Sequence, residues 1–181
     1  MALDQALIQA VSISTTAGFA TTDFSSWPAF LPIVLIFSSF IGGCAGSTGG
    51  GLKVIRILLL FLQGKREVDR LIHPKAVYAV KLGDRAMPER VVEAVWGFFS
   101  AYAVVFVVIM VALIATGMDD ISAFSATAAT LNNLGPGLGS VAGTYADVSD
   151  AGKWLLVIAM LFGRLEIFSL LVLFSPTFWR S

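Results

Sequence analysis

Two short turns, each centred on a glycine, have the composition of a site that binds a cation through backbone oxygens. Gly18 and Gly135 lie 117 residues apart, and each follows a run of small, apolar and hydroxyl residues. Glycine reaches backbone angles that a side chain forbids, and backbone carbonyls can replace the water shell of a potassium ion. We therefore predict an ion selectivity filter of eight residues: Thr15, Thr16, Ala17, Gly18, Asn132, Asn133, Leu134 and Gly135.

Three consecutive residues of each turn are the expected potassium ligands: Thr16, Ala17, Gly18, Asn133, Leu134 and Gly135. The hydroxyl and amide side chains just before each glycine would either add oxygen ligands or brace the turn. An alternative is that each glycine only ends a helix, because glycine is common just after a helix C-terminus. The recurrence of the turn at matched positions favours the filter.

Each turn ends a segment that is too polar to cross a membrane alone. Segments 3–22 and 119–139 carry an acidic residue at or near their start, which suits a helix N-terminus, and each ends in a glycine turn. This is the pattern of a short helix that enters a membrane and returns as a loop, which is tolerated where protein or water surrounds it. The carbonyl end of such a helix carries the negative end of the helix dipole and favours a cation.

Long apolar segments predict the membrane-crossing helices. Of all residues, 57% are hydrophobic and 13% are charged, whereas a soluble domain has about 25% charged residues. A crossing helix needs about 20 apolar residues. Segment 94–116 meets this requirement without a charge, and segment 154–174 meets it apart from Arg164 and Glu166.

A third apolar segment, 30–62, is interrupted by glycines. Six of the ten residues 42–51 are glycine, and each costs a helix about 1 kcal/mol relative to alanine, so we expect a broken helix. Its loop is predicted to be a mobile barrier beneath the filter, formed by Gly42, Gly43, Gly46, Gly49, Gly50 and Gly51. A packing site for closely approaching helices remains an alternative. A phosphate loop is excluded because no Gly-Lys-Ser/Thr sequence is present.

Arg164 is a second candidate gate element. A charge deep in a membrane costs about 2.5–3.5 kcal/mol on insertion scales and marks a functional site by default. Just inside the filter, it would repel permeating cations. The alternative is a buried network of structural charges, which is the favoured interpretation for Glu166.

The placement of charges predicts the topology. Nine of the twelve Lys and Arg residues lie within 53–90, and the positive-inside rule therefore places about 53–92 in the cytoplasm. The other loops are then external and mostly acidic. Their carboxylates would raise the local cation concentration, unless they are simply solvated.

Composition also argues against several other functions. One cysteine excludes an internal disulfide framework. One histidine argues against a histidine-based metal site and against a Ser-His-Asp triad. The net charge of zero gives no reason to expect nucleic-acid binding. We expect no enzyme activity and no covalently bound cofactor, with potassium as the transported ligand.

Four motifs resemble potassium-uptake proteins of the TrkH type, in the Trk/Ktr/HKT superfamily. They are STTAGFATTD at 14–23, GGCAGSTGGGLKVIR at 42–56, TLNNLGPGLG at 130–139 and FGRLEIF at 162–168. The resemblance covers nearly the whole chain and implies four helix–pore-helix–helix repeats around one potassium pore.

The resemblance also assigns roles to residues and partners. It implies that Gly18 and Gly135 are filter glycines, that 42–51 is an intramembrane gate, and that Arg164 is the pore arginine. It further implies a homodimer in the inner cell membrane, regulated by cytosolic nucleotide-binding subunits of the TrkA type.

The expected fold class is an all-α membrane protein with two of the four pore repeats, the first of them incomplete. Residues 1–62 would form the third repeat without its first helix, 63–92 a basic cytoplasmic connector, and 93–181 the fourth repeat. Two repeats cannot close a pore, so the missing N-terminal half is an expected partner. The lipid bilayer is a second expected partner, because the chain is apolar. The alternatives are a non-conducting assembly or regulatory module that binds through 53–90, an inactive fragment, and a pore for a neutral solute.

Overall fold

The structure is a computed structural model that describes residues 2–28, 30–44, 46–47, 49–76 and 78–165. The described residues form six α-helices: α1 Ala2–Ser14, α2 Phe30–Ile41, α3 Val54–Ile72, α4 Glu89–Ala115, α5 Asp120–Leu131 and α6 Asp150–Arg164. Two short 3-10 helices, Phe24–Ser26 and Gly139–Val141, follow the two turns predicted to form the filter, 15–18 and 132–135, which are called the filter turns below. An antiparallel hairpin of strands β1 Lys81–Leu82 and β2 Arg85–Ala86 is the one departure from an all-α fold in this part of the chain.

The two glycine turns connect matching pairs of helices. Helix α1 packs on α2, and α5 packs on both α6 and α4. Contacts between α2 and α5 join the two units. Helix α5 is composed mainly of Ala, Ser and Thr, and nine of its twelve residues are buried. Because its side chains are small, α2, α4 and α6 pack closely against it.

Helix α4 is long and apolar enough to cross a membrane, and it alone among the described residues meets both criteria. Its 27 residues span about 40 Å at about 1.5 Å per residue. Val104, Val107, Val108 and Val111 form an exposed apolar stripe, each with 57–63% of its surface accessible, which suits contact with lipid. The helix begins at Glu89, five residues before the predicted start, because Pro88 has a φ of −59° that suits a helix start.

The predicted break in the third apolar segment is confirmed. Helix α2 ends at Ile41 and α3 begins at Val54, and the twelve residues between them are called the glycine loop. Two backbone hydrogen bonds tie the ends of this loop together: Leu52 N–H donates to Phe40 O at 2.9 Å, and Val54 N–H donates to Gly43 O at 3.3 Å. These two bonds hold the beginning and the end of the loop next to each other.

Helix α3 continues to Ile72, ten residues beyond the expected boundary at 62. Charged and polar side chains support the extra turns, because residues three and four apart face each other on a helix. Gln63 Nε2 donates to Glu67 Oε1 at 2.7 Å, and the Arg70 guanidinium lies 3.3 Å from the same oxygen. The boundary at 62 thus falls inside a helix, and the proposed division of the chain otherwise stays a prediction.

Helix α6 is described only as far as Arg164, and Leu165 follows it. Glu166 and the rest of the predicted crossing segment lie outside the described residues.

Candidate functional site

The first filter turn is fixed by the way in which α1 ends. Thr16 N–H donates to Ile13 O at 3.1 Å, and Ala17 N–H donates to Ser12 O at 2.8 Å. Thr16 is left-handed, with φ +57°. This pair of bonds around a left-handed residue is a Schellman motif, and Gly18 follows two residues later with φ +79°.

The second filter turn repeats this pattern 117 residues later. Asn133 N–H donates to Thr130 O at 3.1 Å, and Leu134 N–H donates to Ala129 O at 2.7 Å. Asn133 has φ +52° and Gly135 has φ +101°. The left-handed residue that ends each helix is therefore Thr16 or Asn133. The alternative that the glycines merely terminate the helices is wrong.

The backbone of each turn points its carbonyls away from the helix end. A trans peptide is planar, so its C=O points opposite to its N–H. The N–H groups of Ala17 and Gly18 both point back to Ser12 O, and the carbonyls of Thr16 and Ala17 therefore point away from α1. The same bonds direct the carbonyls of Asn133 and Leu134 away from α5. Within the described ranges, no donor forms a hydrogen bond to these four oxygens.

The two turns touch each other at Gly18. A methyl group added there would overlap the carbonyl oxygen of Leu134, so the two turns approach as closely as backbone allows. Around Gly135 an added methyl group would meet no described atom within 4 Å. The first glycine is thus required by both conformation and space, and the second by its positive φ.

The side chains next to the filter glycines brace the turns. Asn132 is fully buried; it accepts a hydrogen bond from Tyr102 Oη at 2.7 Å and donates one to Ser39 Oγ at 2.8 Å. Asn133 Nδ2 donates to Met160 O at 3.3 Å. Thr15 Oγ1 donates to Val11 O in its own helix at 2.7 Å. Of the two roles left open by the sequence, bracing is the one that these contacts support.

Further polar side chains hold the chain just beyond each glycine, and sequence reasoning missed them. Gln9 Nε2 donates to Thr22 O at 2.9 Å. In the second unit, Leu138 N–H donates to Ser125 Oγ at 2.8 Å. Tyr145 Oη donates to the carbonyl of Gly135 at 2.8 Å. The one available sequence signal was a polar residue, Gln9, in an otherwise largely apolar stretch of α1.

The glycine loop lies directly against both filter turns. Gly50 N–H donates to Thr16 Oγ1 at 3.2 Å. An added methyl group at Gly50 would overlap the backbone carbonyl of Asn132, and one at Gly49 would lie 3.1 Å from Thr16 Oγ1. The glycine loop thus packs against both turns through small residues, and its role as a barrier beneath the filter stays a prediction.

The other predicted loop glycines differ in what requires them. Gly42 and Gly51 have positive φ values, +64° and +79°, and a methyl group at Gly43 would meet the Ser47 side chain. Gly46 has open space around it. Only the flanks of the loop thus depend on glycine for their conformation.

Arg164 ends α6 and lines a small cleft together with Lys53, Arg56, Gly49 and Gly51. A methyl group at Gly163 would overlap the carbonyl of Leu131, so this end of α6 is held against the second filter turn. Lys53 and Arg56 were not predicted as site residues. The Arg56 guanidinium carbon lies 4.1 Å from the Phe98 ring centroid, a cation–π geometry that orients it. Three cationic side chains therefore share the space beside the loop.

Two acidic side chains, Asp23 and Asp119, cap the N-termini of short helices. Asp119 accepts a hydrogen bond from Ser122 N–H at 3.0 Å, and Asp23 accepts one from Ser25 N–H at 2.9 Å. The hydrogen bond with the Ser122 side chain, followed by the one with its backbone, lowers the pKa of Asp119; the same two contacts with Ser25 lower the pKa of Asp23. Asp23 also lines a cleft with Gly135, so at least one carboxylate lies near a filter glycine.

Comparisons with known proteins agree with this geometry. The family described as "TrkH: Cation transport protein" matches residues 2–181. Trk system potassium uptake protein TrkH from Vibrio parahaemolyticus is 73% identical over 180 residues, which are 99% of this chain and 37% of that protein. TrkH from Escherichia coli K12 is 66% identical over 181 residues, and TrkG from the same strain is 43% identical over 172 residues.

A solved structure matches the fold as closely. The crystal structure of the potassium transporter TrkH from Vibrio parahaemolyticus superimposes with a TM-score of 0.91, covering 99% of this chain and 38% of that chain. This chain spans little more than a third of the length of the curated relatives it matches. With a family match over nearly every residue, this chain belongs to the TrkH family of cation transport proteins, which are membrane proteins.

Proposed function

We propose that this chain supplies two filter turns and the gate loop of a potassium-conducting pore in the cell membrane. The observation that carries the proposal is the matched pair of turns, whose four outward carbonyls accept no hydrogen bond from any described residue. Its relatives are named potassium uptake proteins, which supports potassium as the ion. The proposal includes no enzymatic step and no resident cofactor.

The filter would work by replacing water with backbone oxygens. A potassium ion that sheds its hydration shell needs several oxygens at once. The carbonyls of Thr16 and Ala17 would supply two, and those of Asn133 and Leu134 two more. The C-terminal ends of α1 and α5 add the negative ends of two helix dipoles. Because both polar atoms of the Asn132 side chain are hydrogen-bonded, these oxygens would be held in place before an ion arrives.

The barrier would lie beside the filter, where the glycine loop and the cationic cleft meet. Gly49 and Gly50 occupy the space against both turns. Lys53, Arg56 and Arg164 line the adjoining cleft, and a cationic side chain that faces the ion path would oppose a passing cation. Conduction would then require the loop to move, and Arg164 would raise the barrier when the loop is seated.

The remaining parts of the transporter would come from outside this chain. The relatives are longer, and we assign the two further filter turns to their N-terminal part. We also assign to this protein a homodimeric state in the inner membrane, with about 53–92 in the cytoplasm. Lys75, Lys81, Arg85 and Arg90 are exposed in this stretch, and they would face regulatory nucleotide-binding subunits of the TrkA type.

Potassium uptake in a transport-deficient bacterial strain tests the proposal. The chain is expressed alone, and as a chimera in which it replaces the matching 180 residues of the Vibrio parahaemolyticus protein. We expect the chimera, and not the chain alone, to restore growth at low potassium. A chimera that inserts into the membrane at normal levels and takes up no potassium would refute the proposal.

The second candidate function is a non-conducting module that binds a partner through its basic stretch. The exposed hairpin at Lys81 and Arg85 favours it. This function predicts that Lys81→Glu with Arg85→Glu abolishes the activity of the chimera, whereas Gly135→Ser has no effect. The conducting function predicts instead that Gly135→Ser alters the preference for potassium over sodium.

A further inference from the structure

Thr16 is an unfavourable residue for the position that it occupies. It ends α1 with φ +57°, and a β-branched residue with a left-handed backbone is a conformational outlier. The equivalent position in the second unit holds Asn133 at φ +52°, and asparagine tolerates this conformation. Strain of this kind persists where surrounding contacts enforce it, commonly at switch regions.

A contact of the Thr16 hydroxyl gives a reason for threonine at this left-handed position. Its Oγ1 accepts the N–H of Gly50 at 3.2 Å, across 34 residues of sequence. This is a bond between a filter turn and the glycine loop, and it satisfies a loop N–H that is shielded because Gly50 is buried. The neighbouring Thr15 has the same side chain but bonds back to Val11 O in its own helix.

The other side of Gly50 rests on the second filter turn. A methyl group there would overlap the Asn132 carbonyl, and Asn132 is fixed by Tyr102 and Ser39. Gly50 is therefore seated between the two turns, with one hydrogen bond holding it on the Thr16 side. Backbone bonds of Leu52 and Val54 close the base of the loop, and among the described residues the Gly50–Thr16 bond is the hydrogen bond that joins the loop to a filter turn.

We propose that the Thr16 hydroxyl is a latch that holds the glycine loop against the filter and sets how readily the loop leaves. Thr16 is in this respect a positioning residue, acting through Gly50. The latch depends on the proposed function in one respect only: release of the loop would admit potassium if the chain is part of a pore. The latch itself is a structural property that can be measured without transport.

The lone cysteine of this chain provides that measurement. Cys44 lies in the glycine loop and is exposed, so its rate of reaction with a water-soluble methanethiosulfonate reagent reports on the loop. The experiment uses the purified chimera with all other cysteines replaced. Thr16→Val removes the hydroxyl while keeping the shape, and it is expected to change the rate at Cys44 about tenfold, the size of effect expected for one lost hydrogen bond. Thr16→Ser is expected to retain the original rate.

Thr15→Val is the matched control, because it removes an adjacent hydroxyl that does not reach the loop. It is expected to leave the Cys44 rate unchanged. Gly50→Ala is the second variant, displacing the loop from the Asn132 side. Because both changes release the same loop, the double variant with Thr16→Val should be no more affected than the stronger single variant.

Measurements of potassium uptake distinguish the latch from the proposed function. Faster potassium uptake by Thr16→Val than by Thr16→Ser would support both. A changed Cys44 rate with unchanged uptake would support the latch and refute the loop as the barrier. Equal Cys44 rates in Thr16→Val, Thr16→Ser and the parent, or additive effects with Gly50→Ala, would overturn the latch. If the parent chimera conducts nothing, the proposed function fails, and the Cys44 rates still decide the latch.

Discussion

An alanine at Gly18 would force the two filter turns apart. The added methyl group would overlap the carbonyl oxygen of Leu134, and that oxygen would have to move by roughly 1 Å to restore an ordinary contact. The φ of +79° at Gly18 costs an alanine a further 1–2 kcal/mol, approximately. Overpacking of this kind costs about 1–3 kcal/mol, so the two effects together disfavour the native turn by about 2–5 kcal/mol.

Even the lower end of this range, about 2 kcal/mol, would give a measurable loss of potassium uptake. A change of about 2 kcal/mol corresponds to roughly 30-fold in an equilibrium. Since Leu134 O is a proposed ligand, we expect potassium uptake by the Gly18→Ala chimera to fall by about this factor. The remaining uptake should discriminate less well between potassium and sodium. The assay is uptake of potassium with and without competing sodium, normalised to the amount of protein in the membrane.

Gly143→Ala is the matched control for this experiment. Gly143 has no positive φ, and it has nothing within 4 Å of an added methyl group. If Gly18→Ala were to behave like Gly143→Ala in both uptake and selectivity, the contact between the turns would have no part in the ion path. The filter assignment of Gly18 would then be refuted.

Other predictions concern contacts around the same site. Tyr145→Phe removes the hydroxyl that bonds the Gly135 carbonyl at 2.8 Å, and we expect a change of about 2- to 10-fold in the potassium-to-sodium uptake ratio; an unchanged ratio would contradict a role in the filter. Asn132→Leu breaks two buried hydrogen bonds and should destabilise the detergent-solubilised protein by about 2 kcal/mol or more, seen as a lower thermal unfolding temperature. Gly50→Ala should displace the loop from Asn132 at a cost of about 1–3 kcal/mol. It should alter potassium uptake far more than Gly46→Ala, which adds its methyl group to open space. Equal effects on uptake would show that the packing of Gly50 against Asn132 is not needed.

Local features of the fold were predictable because they depend on short stretches of sequence. The uncharged segment 94–116 predicts a crossing helix, and it lies within α4 apart from Thr116. Six glycines in 42–51 predict a broken helix, and helix is absent from the part of that stretch that the structure describes. Helix ends were less predictable: α3 extends to Ile72 because side-chain pairs favour helix where hydropathy alone does not.

The recurrence of the turn at Gly18 and Gly135 was also visible in the sequence, although in weak form. Alignment of Gly18 with Gly135 rested on layout, and the two turns share the same hydrogen bonds at the same offset. The sequence did not reveal that Thr16 and Asn133, rather than the glycines, end the helices. A left-handed threonine is too rare to predict from residue preferences, since its conformation is enforced by contacts made elsewhere.

What the sequence by itself determined is the set of parts: two short helices ending in glycine turns, a broken helix, an apolar crossing helix and a basic stretch. Each follows from composition over some ten to twenty residues, through helix propensity, apolar length and the backbone freedom of glycine. Only the tertiary structure decided how the parts meet. Asn132 bonds to residues 30 and 93 positions away, and Gly50 bonds to Thr16 across 34. Such contacts depend on the packing of whole helices, because a hydrogen bond forms only where two distant segments bring donor and acceptor within about 3 Å.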